Sequence, residues 1–262
     1  MNKPYVFAHM LTSIDGRVMG NYMKLPEESA CAPGYREITH GNPYASQGSI
    51  CGRGTAEDDF THGKAPDLDP NAAPVPEGDF IAVPDAEDYH LVIDRNGVLG
   101  WETSHIDYGS VESHIVEVLS EKASNEYKDF LRRMGISYLI CGEESVDFGV
   151  MLDKAYELLN LRRLTVSGPA LTWSMVRGGF VDEVSVYIVP LADGSTEHQS
   201  YFMTVPGMSE DVPVVFDLVG VEQREGGAVW LRYKVKKIWE HDEFAEKIGF
   251  GRKEFVKESQ NQ

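Results

Sequence analysis

Three segments of this chain place residues that could bind or react at the ends of extended runs. Residues 163–168, RLTVSG, lead through Ser167-Gly168-Pro169 into Ala170-Leu171 and a stretch able to wind as a helix. Glycine lets a backbone approach a ligand, proline suits a first helical turn, and the free amides of that turn attract phosphate. The same turn can equally serve only to reverse the chain between strand and helix. The second segment, CGRGTAEDDF (51–60), sets Gly52 and Gly54 around Arg53. Thr55 follows with a hydroxyl that can donate to a phosphate or amide, and Asp58 and Asp59 can accept from a ribose hydroxyl or a heterocycle N–H. No Lys-Ser/Thr follows and GxGxxG is absent, so it is neither a Walker loop nor a dinucleotide fingerprint. A glycine-rich turn before an acid-capped helix explains it as well. In the third segment, Thr12-Ser13-Ile14-Asp15-Gly16-Arg17, Ser13 or Asp15 can bond the backbone in a turn that needs Gly16.

Loops of this kind need strands to present them. YVFAHML (5–11) reads as a buried strand, and GSICG (48–52) is a second apolar stretch. From residue 90 onward HLVID (90–94), SHIVEVL (113–119), SYLICG (137–142), RLTVSG (163–168) and EVSVYIVP (183–190) read as strands. NEYKDFLRRMG (125–135) spaces Tyr127, Phe130, Leu131 and Met134 as a helix stopped by Gly135. DFGVMLDKAYELL (147–159) is a helix with an acid at its N-cap, and ALTWSMVRGG is another. Alternating strands and helices imply right-handed crossovers and a mostly parallel sheet with helices on both faces. VVFDLVGVEQR and VWLRYKVKKIW flank EGGA and predict an antiparallel C-terminal hairpin. No linker or repeat divides residues 1–262, so one domain is expected, with a proline-rich insertion at about 61–89. In parallel sheets ligands gather beyond the carboxyl ends of the strands, where all three segments fall.

Bulk properties narrow the function. With 262 residues, 42% of them hydrophobic, the chain can bury a sizeable core. A net charge of −18 argues against a nucleic-acid partner. Cys31, Cys51 and Cys141 show neither CxxC spacing nor an even count, which suits a reducing cytoplasm rather than a disulfide or zinc framework. The N-terminal apolar run is too short and too polar for a signal or membrane segment. The eight histidines lack HxxxH or HxH spacing, so no metal site is expected.

The order and spacing of the three segments resemble the reductase domain of bacterial riboflavin biosynthesis, the RibD C-terminal type. The S-L-D-G-[KR] motif of that family matches Ser13-Ile14-Asp15-Gly16-Arg17, and G-x-G-T-x-x-x-D-D-P matches Gly52 to Thr55 with Asp58-Asp59. A D-x-x-x-R-like turn is partly matched by Asp94-Arg95-Asn96. The most specific match is E-G-G-P-T-L-x-x-x-L-L-x-x-G-L-V-D-E, here VSGPALTWSMVRGGFVDEVSVYIVP. The resemblance covers roughly 4–20, 45–60 and 90–235. It implies an α/β fold of dihydrofolate-reductase-like architecture, a homodimer, NADPH as cofactor and a small heterocyclic substrate.

Carried over residue by residue, Ser167, Gly168, Pro169, Ala170 and Leu171 would wrap the cofactor diphosphate, joined by Gly52 and Gly54. Thr12, Thr55 and Asp59 would touch the cofactor or the reacting face, and Arg95 or Asn96 the adenosine 2′-phosphate. Asp15 and Asp59 are the candidate proton donors, with solvent as the alternative. The substrate side departs from the pattern. The glutamate before the glycines falls on Val166, or on Ser167 if shifted, and Phe60 replaces the proline after the paired acids. The usual tryptophan and arginines have no clear counterparts, leaving Arg17, Arg36, Arg53 and His40 as substitutes. If the insertion folds over the pocket, Asp67, Asp69, Glu77 and Asp79 repel a phosphorylated substrate. The rival readings are dihydrofolate or other C=N or C=O reduction, and a non-catalytic NADPH-binding protein.

Overall fold

The computed structural model describes residues 3–108, 111–206 and 212–247. Its frame is one mixed sheet built from β1 (Tyr5–Thr12), β2 (Gly48–Gly52), β3 (Tyr89–Ile93), β4 (His105–Tyr108), β5 (Val111–Leu119), β6 (Ser137–Ile140), β7 (Arg163–Val166), β8 (Glu183–Ile188), β9 (Val214–Gln223) and β10 (Val229–Ile238). The order is β4-β5-β3-β2-β7-β1-β8-β10-β9, with β6 also pairing β5. Strands β6, β5, β3, β2, β7, β1 and β8 run parallel, while β4, β10 and β9 join antiparallel. This is the dihydrofolate-reductase-like arrangement expected, with its C-terminal hairpin turned at Glu225–Gly227.

The helices form where local chemistry stops and starts them. α3 (Asn125–Met134) begins at Ser124, whose side chain accepts the amide of Tyr127, and ends at Gly135 in the left-handed conformation. α4 (Phe148–Leu158) is capped by Asp147, which accepts the amides of Gly149 and Val150. α5 (Pro169–Arg177) opens on proline. A short helix α2 (Arg53–Ala56) continues as a π-helical stretch, Glu57–Thr61.

α1 (Pro26–His40) and β4 carry no expectation from the pattern above. Pro26 starts α1, where a missing N–H costs nothing, but Pro33 lies inside it and disguises its periodicity. Tertiary packing rescues the helix: Tyr35 stacks on His9 at 4.3 Å, and its hydroxyl donates to the His9 carbonyl at 3.0 Å.

The two faces of the sheet bury different sets. Val6, Ala8, Ile50, Leu164 and Val166 pack with residues of α4 and α5. Phe7 packs with residues of α1, while Cys51, Val92 and Ile115 pack with Trp101 and α3.

The insertion does not fold over the three loops. Several of its tertiary hydrogen bonds go to the α3–β6 end of the sheet, and the Lys64 carbonyl accepts the Gly100 amide at 3.1 Å. Asn125 Oδ1 accepts the Val75 amide at 2.8 Å, Arg133 donates to the Asp67 carbonyl at 2.8 Å, and Phe80 bridges Tyr138 on the outer edge of β6. Asp79 accepts both the Ile140 amide at 2.8 Å and Lys154 Nζ at 2.9 Å. The expected acidic screen over the pocket is therefore a clamp that covers a sheet edge.

Candidate active site

β2 and β7 are neighbours, so their carboxyl ends bring the second and first segments together. The Ser167 amide donates to the Ile50 carbonyl at 2.9 Å, holding the exit of β7 against β2. Gly168 follows at φ +87, a conformation that L side chains rarely adopt, and a Cβ there would stand 3.4 Å from Thr55 Oγ1. A Cβ on Gly52 or Gly54 would meet nothing within 4 Å, so both backbones face open space. Ser167 to Leu171 and Gly52 to Thr55 thus form two sides of a glycine-rich cradle with the first turn of α5 beside it.

The next strand end is β3. Asp94 is buried, and its Oδ2 accepts the amides of Val98 at 2.6 Å and Leu99 at 3.0 Å. Burial raises its pKa, while those amides and nearby Arg53 pull the other way. The turn it fixes leaves Arg95 exposed, with the Arg95 carbonyl accepting the amide and hydroxyl of Ser120 at 2.9 and 2.8 Å. Arg53 is also exposed, ion-paired with Glu57 at 3.6 Å.

At the end of β1 the geometry gives two expected site residues other work. Thr12 is buried and its hydroxyl donates to the Ser13 carbonyl at 2.6 Å. Asp15 accepts the Ser13 hydroxyl at 2.6 Å and the amides of Asp193 at 3.0 Å and Gly194 at 2.8 Å. The hydroxyl first, then the two amides, hold its carboxyl well below the usual range. A carboxylate stabilised as an anion by three donors is poorly made to give up a proton. Arg17 is likewise engaged, its Nη1 donating to the His198 carbonyl at 2.9 Å.

These contacts reveal a strap that sequence reasoning missed. Ile14 donates to Leu191, Val18 to Gln199, and Tyr201 back to Gly16, lacing residues 191–201 along the loop after β1. His198 Nδ1 lies 2.5 Å from Asp193 Oδ2. The sequence offered one local sign, the Asp193-Gly194 turn pair.

Other expected residues stand apart. Asp59 and Phe60, at the far end of the second segment, border a cavity of about 290 Å³ with Trp101, Glu102 and His105, which lie outside the three segments. Burial and then Asp58 raise the Asp59 pKa, so it is easier to protonate than Asp15. Arg36 is an exposed residue of α1, one turn before His40, which lies close enough to Asp88 at the start of β3 to ease its ionisation. That is the amino edge of the sheet, so His40 does not join the cradle, while Arg36 follows Tyr35, which stacks on His9 midway along β1. Val166 is sealed in the core beneath α5, leaving Ser167 as the position on the opposite face. Asp182 and Glu183, the end of the most specific motif, also sit at the amino edge. Asp182 accepts the Val6 amide at 2.8 Å, and Glu183 accepts the hydroxyls of Tyr44 at 2.5 Å and Tyr5 at 2.9 Å.

The fold is that of a dihydrofolate-reductase-like domain, with a glycine-rich cradle at the carboxyl edge of its parallel strands. The RibD C-terminal domain family matches residues 4–230, and the chain belongs to it. Among solved structures it is similar to a pyrimidine reductase-like protein from Corynebacterium diphtheriae, at 17% identity and a TM-score of 0.59, covering 90% of this chain and 93% of that one. It is also similar to Acinetobacter baumannii RibD, at 16% identity and a TM-score of 0.57, covering 90% of this chain and 59% of that one. The riboflavin biosynthesis reductase Rib7 of Saccharomyces cerevisiae aligns at 17% identity and a TM-score of 0.50, covering 90% and 91% of the two chains. At such identities these likenesses establish the fold.

Proposed function

We propose that this chain is an NADPH-dependent reductase of a small heterocyclic substrate, related in chemistry to the pyrimidine reductase of riboflavin synthesis. The observation that carries the reading is the cradle at Gly168, with φ +87, set beside the open backbones of Gly52 and Gly54. The residues fit a dinucleotide: amides of Ser167 to Leu171 would hold the diphosphate at the start of α5. Arg95 and Arg53, exposed at adjacent strand ends, suit a 2′-phosphate through their forked donors. NADPH, when bound, supplies a hydride from its nicotinamide ring.

The protein's own part is to position and to exclude water. Asp15 fixes the strap against the loop after β1, forming one wall. Ser167 and Thr55 present hydroxyls at the cradle. Neither expected carboxylate stands ready as a proton donor in the cradle, which favours solvent in that role.

Titration with NADPH tests the reading. Gly168→Val should weaken binding about tenfold or more, roughly 1.4 kcal/mol per tenfold, because a β-branched residue opposes positive φ and crowds Thr55. Equal affinity in that variant would overturn the assignment.

A further inference from the structure

Stability alone would put an apolar side chain at position 117. Glu117 lies in β5 with no exposure, close in sequence to Ile115, Val118 and Leu119, which are as deeply buried. Its Oε1 accepts the indole N–H of Trp101, while Oε2 has no hydrogen-bond partner among the described residues. Burial first, then the charge of Asp94, push its pKa well above the usual range, and the donors Trp101 and Tyr127 offset only part of this. A half-satisfied buried carboxyl costs stability that a leucine in its place would not. Its presence calls for a use beyond packing.

The bonds of Glu117 lead to one place, the turn after β3. Trp101 stands at the exit of that turn. Tyr127 of α3 sets its hydroxyl 3.4 Å from Glu117 Oε1 and donates to the Leu99 carbonyl at 3.0 Å. The Tyr127 ring fills the space over Gly97, at φ +70, so closely that a Cβ there would collide with it. Ser120, just past the end of β5, holds the Arg95 carbonyl through its amide and hydroxyl at 2.9 and 2.8 Å. β5 and α3 thus fasten residues 95, 97, 99 and 101, while Arg95 and Asn96 stay exposed. A turn restrained from beneath by buried side chains, with a cation on its outer side, aims that cation in a fixed direction.

We propose that Glu117, acting through Tyr127 and Trp101, is a positioning residue that holds the Arg95 turn ready for the 2′-phosphate of the cofactor, and so sets a preference for NADPH over NADH. A guanidinium pairs with phosphate through a fork of donors whose direction matters, and the backbone of the turn sets that direction. Glu117 meets both partners with one acceptor atom, Oε1, so an amide can replace the carboxyl and an alkyl group cannot. This assignment rests on the reductase reading for the identity of the cofactor. Glu117 and Tyr127 are themselves buried, so they act on the preference between two nucleotides and leave the diphosphate cradle at Gly168 to be tested apart.

The test titrates NADPH and NADH separately into the full chain and its variants, with urea unfolding to show that each variant folds. The wild type should bind NADPH about tenfold or more tightly than NADH, and Arg95→Ala should remove most of that preference. Glu117→Leu should weaken NADPH about fivefold or more and leave NADH within about twofold, because only the 2′-phosphate contact depends on the turn. Glu117→Gln should keep the wild-type preference. Tyr127→Phe keeps the ring over Gly97 and loses only the hydroxyl, so it decides the matter if Glu117→Leu does not fold. Its preference should drop about threefold or more. In an Arg95→Ala background Glu117→Leu should change the preference no further. An unchanged preference in Tyr127→Phe or in folded Glu117→Leu would overturn the proposal. So would equal loss of both nucleotides, a loss in Glu117→Gln as large as in Glu117→Leu, or full preference in Arg95→Ala. Failure of the wild-type chain to bind either nucleotide would instead overturn the functional reading.

Discussion

Asp15 accepts the backbone amide of Asp193 at 3.0 Å across 178 residues of chain, and with it the Gly194 amide at 2.8 Å. This joins the loop after β1 to the strap that follows β8. Asp15→Asn should weaken that join, because a neutral amide oxygen accepts less strongly than a carboxylate. The amides of Asp193 and Gly194 should then exchange faster with solvent, and kcat/KM should fall with little change in cofactor affinity. The carboxyl pKa is depressed in the folded chain, so the anchoring is complete above the usual aspartate range. It weakens as pH falls through the depressed value. Unaltered exchange in Asp15→Asn would show that the strap holds itself.

Two buried histidines should govern stability in mild acid. Burial lowers His9 and His90 each from 6.5 to about 4. His9 is fixed neutral between the Ser185 hydroxyl at 2.7 Å and the Tyr35 carbonyl at 3.1 Å. Between pH 6.5 and about 4 the unfolded chain takes up protons that the folded chain refuses, so stability falls as pH drops through that window. Asp88 and Asp94 act oppositely, because burial raises their pKa values and ionising them costs stability as pH rises. The His9 part is isolated by the difference between wild type and His9→Gln in urea unfolding. It should slope by up to about 1.4 kcal/mol per pH unit inside the window and flatten above pH 7. NMR resonances of both rings should stay still from pH 8 to about 5. A midpoint near 6.5 for His9 would refute the assignment.

The insertion should behave as a clamp. Asp79→Ala removes the acceptor for Lys154 and for the Ile140 amide together. Loss of a half-buried, doubly bonded carboxylate should cost about 1–3 kcal/mol and open residues 64–86 to proteolysis. NADPH affinity should be unchanged. A large loss of affinity with intact stability would instead mark the segment as a lid.

How much of this was legible differs by element. α3 was readable because Gly135 and four apolar residues agree at short range, and the Ser124 cap agrees with them. α1 was not, since Pro33 argues locally against a helix that Tyr35 and His9 stabilise from a distance. The glycine loops announced themselves because only glycine suits φ +87 at residue 168. The strap and Asp15's tie to it depend on residues far apart in sequence, and no spacing rule reaches that far.

The far edge of the sheet should hold a second copy of the chain. Among the described residues β9 pairs only with β10, and Val215, Leu218, Val219 and Val221 are all exposed on it. β9 has no proline, lysine or arginine within Val214–Gln223, so it lacks the usual protections of an open edge. Light scattering should give about twice the 29.2 kDa chain mass, and Leu218→Lys with Val221→Lys should return it to one. A monomer at micromolar concentration would exclude the interface.

The last expectation concerns the phosphate of the riboflavin-pathway substrate. A buried phosphate needs charged or amide partners to offset its desolvation. Arg17 is bonded to the His198 carbonyl at 2.9 Å, Arg53 faces Glu57 at 3.6 Å, and Arg36 is exposed on α1. The insertion no longer supplies repulsion, because its acids lie at the α3–β6 end. Those engaged arginines favour a less anionic substrate. Arg53 is the one most easily recruited, since its ion pair is exposed and worth about 0–1 kcal/mol. Steady-state kinetics with the phosphorylated pathway pyrimidine should give kcat/KM well below about 10⁴ M⁻¹s⁻¹, with an unphosphorylated analogue the better substrate. A value above that mark, falling in Arg53→Ala, would show that Arg53 takes the phosphate and that the substrate is the pathway's own.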